Sequence, residues 1–154
     1  MSDVSPYSIR QLGSDDLDLM DGLLTMFGKA FDEVAVYDGN RPAASYLRDL
    51  LDRDSFLALV ALGGGRVVGG LTAYVLRKFE QERSEVYVYD LAVAAEHRRR
   101  GVATALIQEL KSLAAERGAY VIFIQADKGD EPATALYSKL GIREEVLHFD
   151  ILVD

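Results

Sequence analysis

The 154-residue chain has no cysteine and no tryptophan. Without thiols it can build neither a disulfide nor a thiolate metal site, every cysteine-nucleophile mechanism is excluded, and a reducing cytoplasm is the expected setting. Proline is scarce, at three residues, and no Pro/Gly/Ser-rich tract or internal repeat breaks the chain, so a single domain over 1–154 is expected. No stretch approaches the roughly 18–20 apolar residues that cross a bilayer, and the first ten residues lack a basic start followed by an apolar run. Neither membrane insertion nor export is therefore expected. Positive charge is in deficit: 17 Lys and Arg against 25 Asp and Glu leave a net charge of −8. That balance disfavours nucleic acid and suits a small polycationic partner, although solubility alone also accounts for it. Gly-x-Gly-x-x-Gly, His-x-x-x-His and carboxylates at metal-ligand spacing are all missing, so a dinucleotide fold is rejected and no metal is expected.

What is present reads as alternating helices and strands. Ser14-Asp15-Asp16 precedes Leu17, Met20, Leu23, Leu24 and Phe27 at helical spacing, which predicts a first helix over about 15–31. Residues 32–41 read as an acidic and phenolic loop, with Asp32, Glu33, Tyr37 and Asp38, and Pro42 opens a second helix carrying Tyr46, Leu47, Leu50 and Leu51. Two strands, 56–62 and 67–76, flank Gly63-Gly64-Gly65 as a hairpin, and a third covers 85–93. Strict alternation in that third strand sets Tyr87, Tyr89, Leu91 and Val93 on one face and Val86, Val88, Asp90 and Ala92 on the other. A helix over 101–117, a strand over 120–125, a helix from Asp130-Glu131-Pro132 to Leu140 and a last strand over 144–153 complete the chain. The order α-α-β-β-β-α-β-α-β predicts an α+β fold whose mixed, largely antiparallel sheet is flanked by helices.

The junction between the third strand and the following helix carries chemistry. A helix start offers unpaired backbone N–H groups and partial positive charge, here those of Val102, Ala103 and Thr104, and Gly101 leaves room for an anion to approach them. Arg98, Arg99 and Arg100 precede it and can add charge-assisted contacts to a pyrophosphate, or can form a plain solvated basic turn. Asp90 lies on an otherwise small apolar face of the third strand, an anomaly in its pattern. His148 and Asp150 alternate on one side of the last predicted strand, where an acceptor cleft or open solvent would both suit them.

Arg98, Gly101 and Ala103 match the Gln/Arg-x-x-Gly-x-Gly/Ala pattern of the GNAT acetyltransferases. Asp130, Ala133, Leu136, Tyr137, Lys139 and Gly141 resemble that family's later helix, with Asp130 in place of asparagine and Ile142 in place of phenylalanine. The resemblance implies the GNAT acyl-CoA N-acyltransferase fold and acetyl-CoA as cofactor. It also implies a pantetheine arm lying along Leu91-Ala92-Val93, an N–H near Leu91 that polarises the thioester carbonyl, and further cofactor contacts from Asp130 and Ala133. By the same resemblance Tyr137 is the general acid toward the sulfur and Asp90 the base or the amine ligand. Stretches such as Met26–Phe31, Tyr89–Val93, Glu96–Arg99 and Leu140–Val146 further resemble the type I aminoglycoside 3-N-acetyltransferases. That likeness implies a polycationic acceptor among Asp32, Glu33, Tyr37, Asp38, Asp90, Asp127, His148 and Asp150, and a possible homodimer. Another small polyamine, a protein or peptide amine, or a non-catalytic acyl-CoA sensor are the alternatives; the presence of Tyr137 and Asp90 favours an enzyme.

Overall fold

A computed structural model of the chain describes residues 6–154. The backbone divides into two compact units, one running to Ile124 and the other Gln125–Asp154. The first holds β1 (Tyr7–Gln11), α1 (Leu17–Ala30), α2 (Val34–Gly39), α3 (Ala44–Leu51), β2 (Phe56–Gly63), β3 (Arg66–Arg77), β4 (Ser84–Val93), α4 (Val102–Glu116) and β5 (Ala119–Ile124). Its strands form one sheet in the order β1-β2-β3-β4-β5, antiparallel throughout except for the parallel pair β4–β5. A parallel pair needs a long crossover, and α4 supplies it. The α+β architecture with a largely antiparallel mixed sheet is the one expected.

The apolar run Phe56–Ala61 shows no alternation because β2 is covered on both sides. Leu57, Leu59 and Ala61 pack with Val102, Leu106 and Leu110 of α4, whereas Phe56, Ala58 and Val60 pack with Leu23 and Phe27 of α1 and Leu47 and Leu51 of α3. Each helix contributes the stripe its spacing predicts. Between β2 and β3 a two-residue loop, Gly64-Gly65, has φ +59° and +77° at its two positions. Those angles are the signature of a hairpin turn that follows the strand twist.

Three elements differ from the sequence expectation. β1 pairs antiparallel with β2 although its short run, with only Tyr7 and Ile9 turned partly inward, carries little periodic signal. Within 32–41, expected as a loop, Val34–Gly39 winds into α2, held on α1 by rings: Tyr37 lies 6.3 Å from Phe27 and 6.0 Å from Phe31 between centroids. The strand expected over 144–153 is not formed: no residue of that stretch joins a ladder. Its alternation is real, but a strand exists only against a second backbone.

The second unit is built on α5 (Glu131–Leu140). Asp130 caps it, accepting from the Ala133 N–H at 3.3 Å, and Pro132 sits in the first turn where a missing N–H costs nothing. After Gly141 the chain continues without regular structure to Asp154.

α1 sits close on the sheet at Gly70, where an added Cβ would lie 2.3 Å from Leu23 Cδ1 and 2.8 Å from the Leu59 carbonyl oxygen. Gly70→Ala is expected to lower unfolding free energy by about 1–3 kcal/mol, since the backbone oxygen cannot swing aside. Urea unfolding followed by circular dichroism checks it; an unchanged midpoint would mean that α1 shifts freely.

Candidate active site

The site begins with a break in a ladder. Thr72 of β3 pairs with Asp90 of β4, but the next residue, Ala73, pairs with Val88, so Tyr89 is the extra residue of a β-bulge. One extra residue reverses the order of faces beyond it. Val86, Val88, Leu91 and Val93 all pack on the α4 side, while Ala92 packs on the side of α1 and α3. The strict alternation expected for 85–93 is thereby corrected: Asp90 does not share a face with Val86 and Val88 but lies with Tyr87 and Tyr89. The bulge gathers an acid and several phenols on the α1 side of the sheet.

Asp90 is held there by two donors. Thr72 Oγ1 donates to its Oδ2 at 2.7 Å, and the Tyr37 hydroxyl, brought in by α2, also hydrogen-bonds it. Burial raises the carboxyl above the usual aspartate range, and these two hydrogen bonds pull it back in part. Tyr37 in turn is pushed up to about 12 by burial first and then by the charges of Asp90 and Glu33, so it remains a donor at any physiological pH. Around them the rings form a continuous wall. Tyr74 packs edge-on to Tyr89 at 6.1 Å, Tyr89 lies 5.5 Å from Tyr87, and Tyr87 stacks on Phe123 at 4.6 Å with planes 7° apart. Tyr74 is also raised, by burial and then by Asp90, Tyr46 and Tyr89. A half-buried carboxylate beside phenols, with Tyr89 65% exposed, can receive an ammonium group and the faces of a ring.

The same bulge lies beside an opening in the sheet. The β4–β5 ladder ends at Val88–Ile124, whereas β4 runs on to Val93 with a partner only on the β3 side. Those backbone groups of Tyr89–Val93 that face away from β3 therefore have no strand against them among the described residues. Past that edge the chain turns through Arg99 at φ +63° and Gly101 at φ +79° into α4, which has no side-chain cap. The N–H groups of Val102, Ala103 and Thr104 have no helical acceptor, and nothing lies within 4 Å of where a Gly101 side chain would stand. Arg98, Arg99 and Arg100 are exposed around this opening. Arg98 Nε donates to the Val93 carbonyl at 3.1 Å; Arg100 donates to the Tyr7 hydroxyl at 3.3 Å, which is itself hydrogen-bonded to His97 Nδ1 at 2.8 Å. A capless helix start flanked by guanidinium groups suits a phosphate-bearing ligand.

Of the expected acceptor residues, the structure brings Tyr37 to Asp90 and sets Glu33 close enough to act on Tyr37. Asp38 is instead ion-paired with Arg41 at 2.6 Å, and Arg41 also holds Asp21. Asp32 is exposed at φ +55° between α1 and α2. Asp127, Asp130, Ala133, Tyr137, His148 and Asp150 belong to the second unit. There Asp130 is the helix cap, His148 Nε2 and Asp150 Oδ1 lie 2.8 Å apart, and burial followed by the Asp130 charge pushes Tyr137 up to about 12. Thr72, Tyr74, Tyr87 and Tyr89 were missed as site residues. Only the high tyrosine content, eight in all, hinted at them. Among the described residues no group of three or more His, Asp or Glu is placed to hold a metal, and no helix is long and apolar enough to cross a membrane.

The acetyltransferase (GNAT) family profile matches residues 19–142, and the chain belongs to that family. A solved aminoglycoside acetyltransferase from an uncultured soil metagenomic sample is 61% identical, with TM-score 0.94, covering 96% of this chain and 99% of its own. A second from such a sample, in complex with sisomicin, is 31% identical with TM-score 0.88 over 96% of this chain and 97% of that one. Among curated proteins, an uncharacterised N-acetyltransferase of Methanocaldococcus jannaschii is 27% identical over 143 residues, 92% of this chain. The chain spans 63% of that relative's length and 40% of the length of N-acetyltransferase 8B from Rattus norvegicus.

Losing one of its two hydrogen bonds should leave Asp90 harder to ionise. Thr72→Val is expected to move its titration further upward, because the hydroxyl stabilises only the charged form enough to offset part of the burial cost. Carboxyl-carbon NMR of labelled protein reads this; a midpoint that stays put or falls would show that Thr72 does not act on the charge.

Proposed function

We propose that this chain transfers an acetyl group from acetyl-CoA to the 3-amino group of an aminoglycoside, in the cytoplasm. The observation that carries the reading is Asp90: a carboxylate with a raised pKa, gripped by Thr72 and Tyr37, at the bulge where β4 loses its second partner. The likeness to aminoglycoside acetyltransferases, one solved with sisomicin, supports the acceptor class.

The residues present fit acetyl-CoA. The uncapped start of α4 at Val102–Thr104 with Arg98, Arg99 and Arg100 suits the pyrophosphate, and the open edge at Leu91, Ala92 and Val93 suits an amide-bearing arm that pairs like an added strand. When bound, acetyl-CoA supplies an activated acetyl thioester. An N–H near Leu91 would support negative charge on the carbonyl oxygen, and Asp130 and Ala133 would complete the cofactor contacts. The acceptor amine must lose a proton before it attacks. Asp90 accepts it or orients the amine, and its raised pKa brings it closer to that task than an ordinary aspartate. Tyr137 is the general acid: with its pKa near 12 the hydroxyl keeps its proton until one is demanded at the sulfur. Asp32, Glu33, Tyr37, Asp38, Asp127, His148 and Asp150 are the further acceptor ligands of this reading; Asp38 would have to leave Arg41 to serve.

Thiol release from acetyl-CoA is expected to be faster with gentamicin-type or kanamycin-type aminoglycosides than with spermidine or a lysine peptide, and NMR of the product is expected to place the acetyl group on the 3-amino nitrogen. Asp90→Asn should lower turnover on the order of 10²–10³-fold without weakening acetyl-CoA binding. Acetylation at another nitrogen overturns the regiochemistry; preference for spermidine overturns the acceptor class.

Tyr137→Phe is expected to cut kcat on the order of 10²-fold while acetyl-CoA affinity by calorimetry is unchanged. Near-normal turnover would reduce Tyr137 to a packing residue.

A further inference from the structure

Two of the three arginines before α4 are held in place with no ligand bound. Arg98 is fixed locally, on the carbonyl of Val93, but Arg100 is fixed from the far edge of the sheet, on the hydroxyl of Tyr7 in β1. Ring packing dictates where that hydroxyl stands. Tyr7 pairs with Gly63 of β2 and lies over it, so that an added Cβ at Gly63 would come within 3.1 Å of Tyr7 Cε1. The same ring packs on the cluster that contains Val102, the first residue of α4, and meets the half-buried ring of His97 edge-on, with centroids 5.6 Å apart and planes at 79°.

The chemistry of the three groups orients the protons between them. A guanidinium can only donate, so the Tyr7 oxygen accepts from Arg100 at 3.3 Å. The hydroxyl proton is left for His97 Nδ1, 2.8 Å away, and the imidazole then carries its own proton on Nε2. Donation runs in one direction, Arg100 to Tyr7 to His97, and each bond polarises the next. An exposed arginine that grips an anion gives up rotamer freedom when it does so; one already held has given it up in folding, and its unused N–H groups stay available.

We propose that Tyr7 and His97 are positioning residues for cofactor binding: Tyr7, backed by His97, holds the Arg100 guanidinium at the uncapped start of α4, where it meets the phosphates of acetyl-CoA. The inference rests on the acetyl-CoA reading above. It gives β1, which carries no other part of the site, a task in the binding of the cofactor.

Calorimetry of acetyl-CoA binding to single and double variants tests it, with circular dichroism to confirm that each is folded. Tyr7→Phe keeps the ring and removes the hydroxyl, and is expected to weaken binding about 5- to 10-fold, the worth of one hydrogen bond to a charged group. In an Arg100→Ala background the same change is expected to matter less than about twofold, because its effect passes through the guanidinium. His97→Asn, whose amide oxygen can accept from Tyr7, is expected to retain most of the affinity that His97→Leu loses. Equal losses from Tyr7→Phe in both backgrounds, or none in either, overturn the positioning role and leave the cofactor reading standing; failure of the unaltered chain to bind acetyl-CoA overturns both. Nitrogen-15 NMR of the ligand-free protein supplies a readout that needs no cofactor. The chain has two histidines, so His97→Asn assigns the signals. A proton on Nε2 and a bare Nδ1 at His97 support the relay, and a proton on Nδ1 overturns it.

Discussion

The hydrogen bond from Thr72 to Asp90 sits where β3 and β4 fall out of register, and the candidate site depends on that irregularity. In a regular β4, Asp90 would point into the apolar layer beneath α4, where a carboxylate has no partner and a prohibitive desolvation cost. The extra residue Tyr89 turns it to the other face, among phenols that donate to it. The same extra residue leaves Leu91 and Val93 on the α4 side, so the core stays continuous through the break. Bulges bend and twist a strand, and here β4 stops pairing with β5 at the point where the bulge begins.

Two kinds of surface thus meet along one strand. Toward its end, β4 leads into a turn with two left-handed residues and an uncapped helix, a place of unspent N–H donors and guanidinium charge. At its middle it offers a carboxylate, phenols and aromatic faces, a place for a cation. Their closeness follows from covalent connectivity, since Asp90 and Gly101 are joined by a short stretch of chain with little freedom. Within a chain of net charge −8, Arg98–Arg100 concentrate positive charge at the start of α4.

The acids themselves divide by what holds them. Asp38 and Asp21 share Arg41, Glu85 is lowered by its hydrogen bond from Lys78, and Asp130 caps a helix, so each has a structural partner. Asp90 differs in being surrounded by neutral donors rather than by a cation. A carboxylate satisfied by hydroxyl groups keeps its charge available for an incoming ammonium, whereas one paired to arginine must first give up its partner.

Local pattern was enough for much of this chain. Helical spacing placed α1, α4 and α5, the glycine run placed the β2–β3 turn, and the Arg98–Ala103 junction was readable because helix starts and glycine have the same local physics in any fold. Asp90 stood out as a carboxylate in an apolar strand. The partners of Asp90 could not be read, since a bulge is decided by how two strands twist and pack against each other, and a one-residue slip reverses every face beyond it. Tyr37 was legible as a residue and illegible as a ligand of Asp90, because its place depends on ring packing against Phe27 and Phe31. The stretch 144–153 shows the opposite failure: its alternation is that of a strand, but alternation specifies only which side chains share a face, and whether a ladder forms depends on a second backbone that the tertiary structure alone provides or withholds.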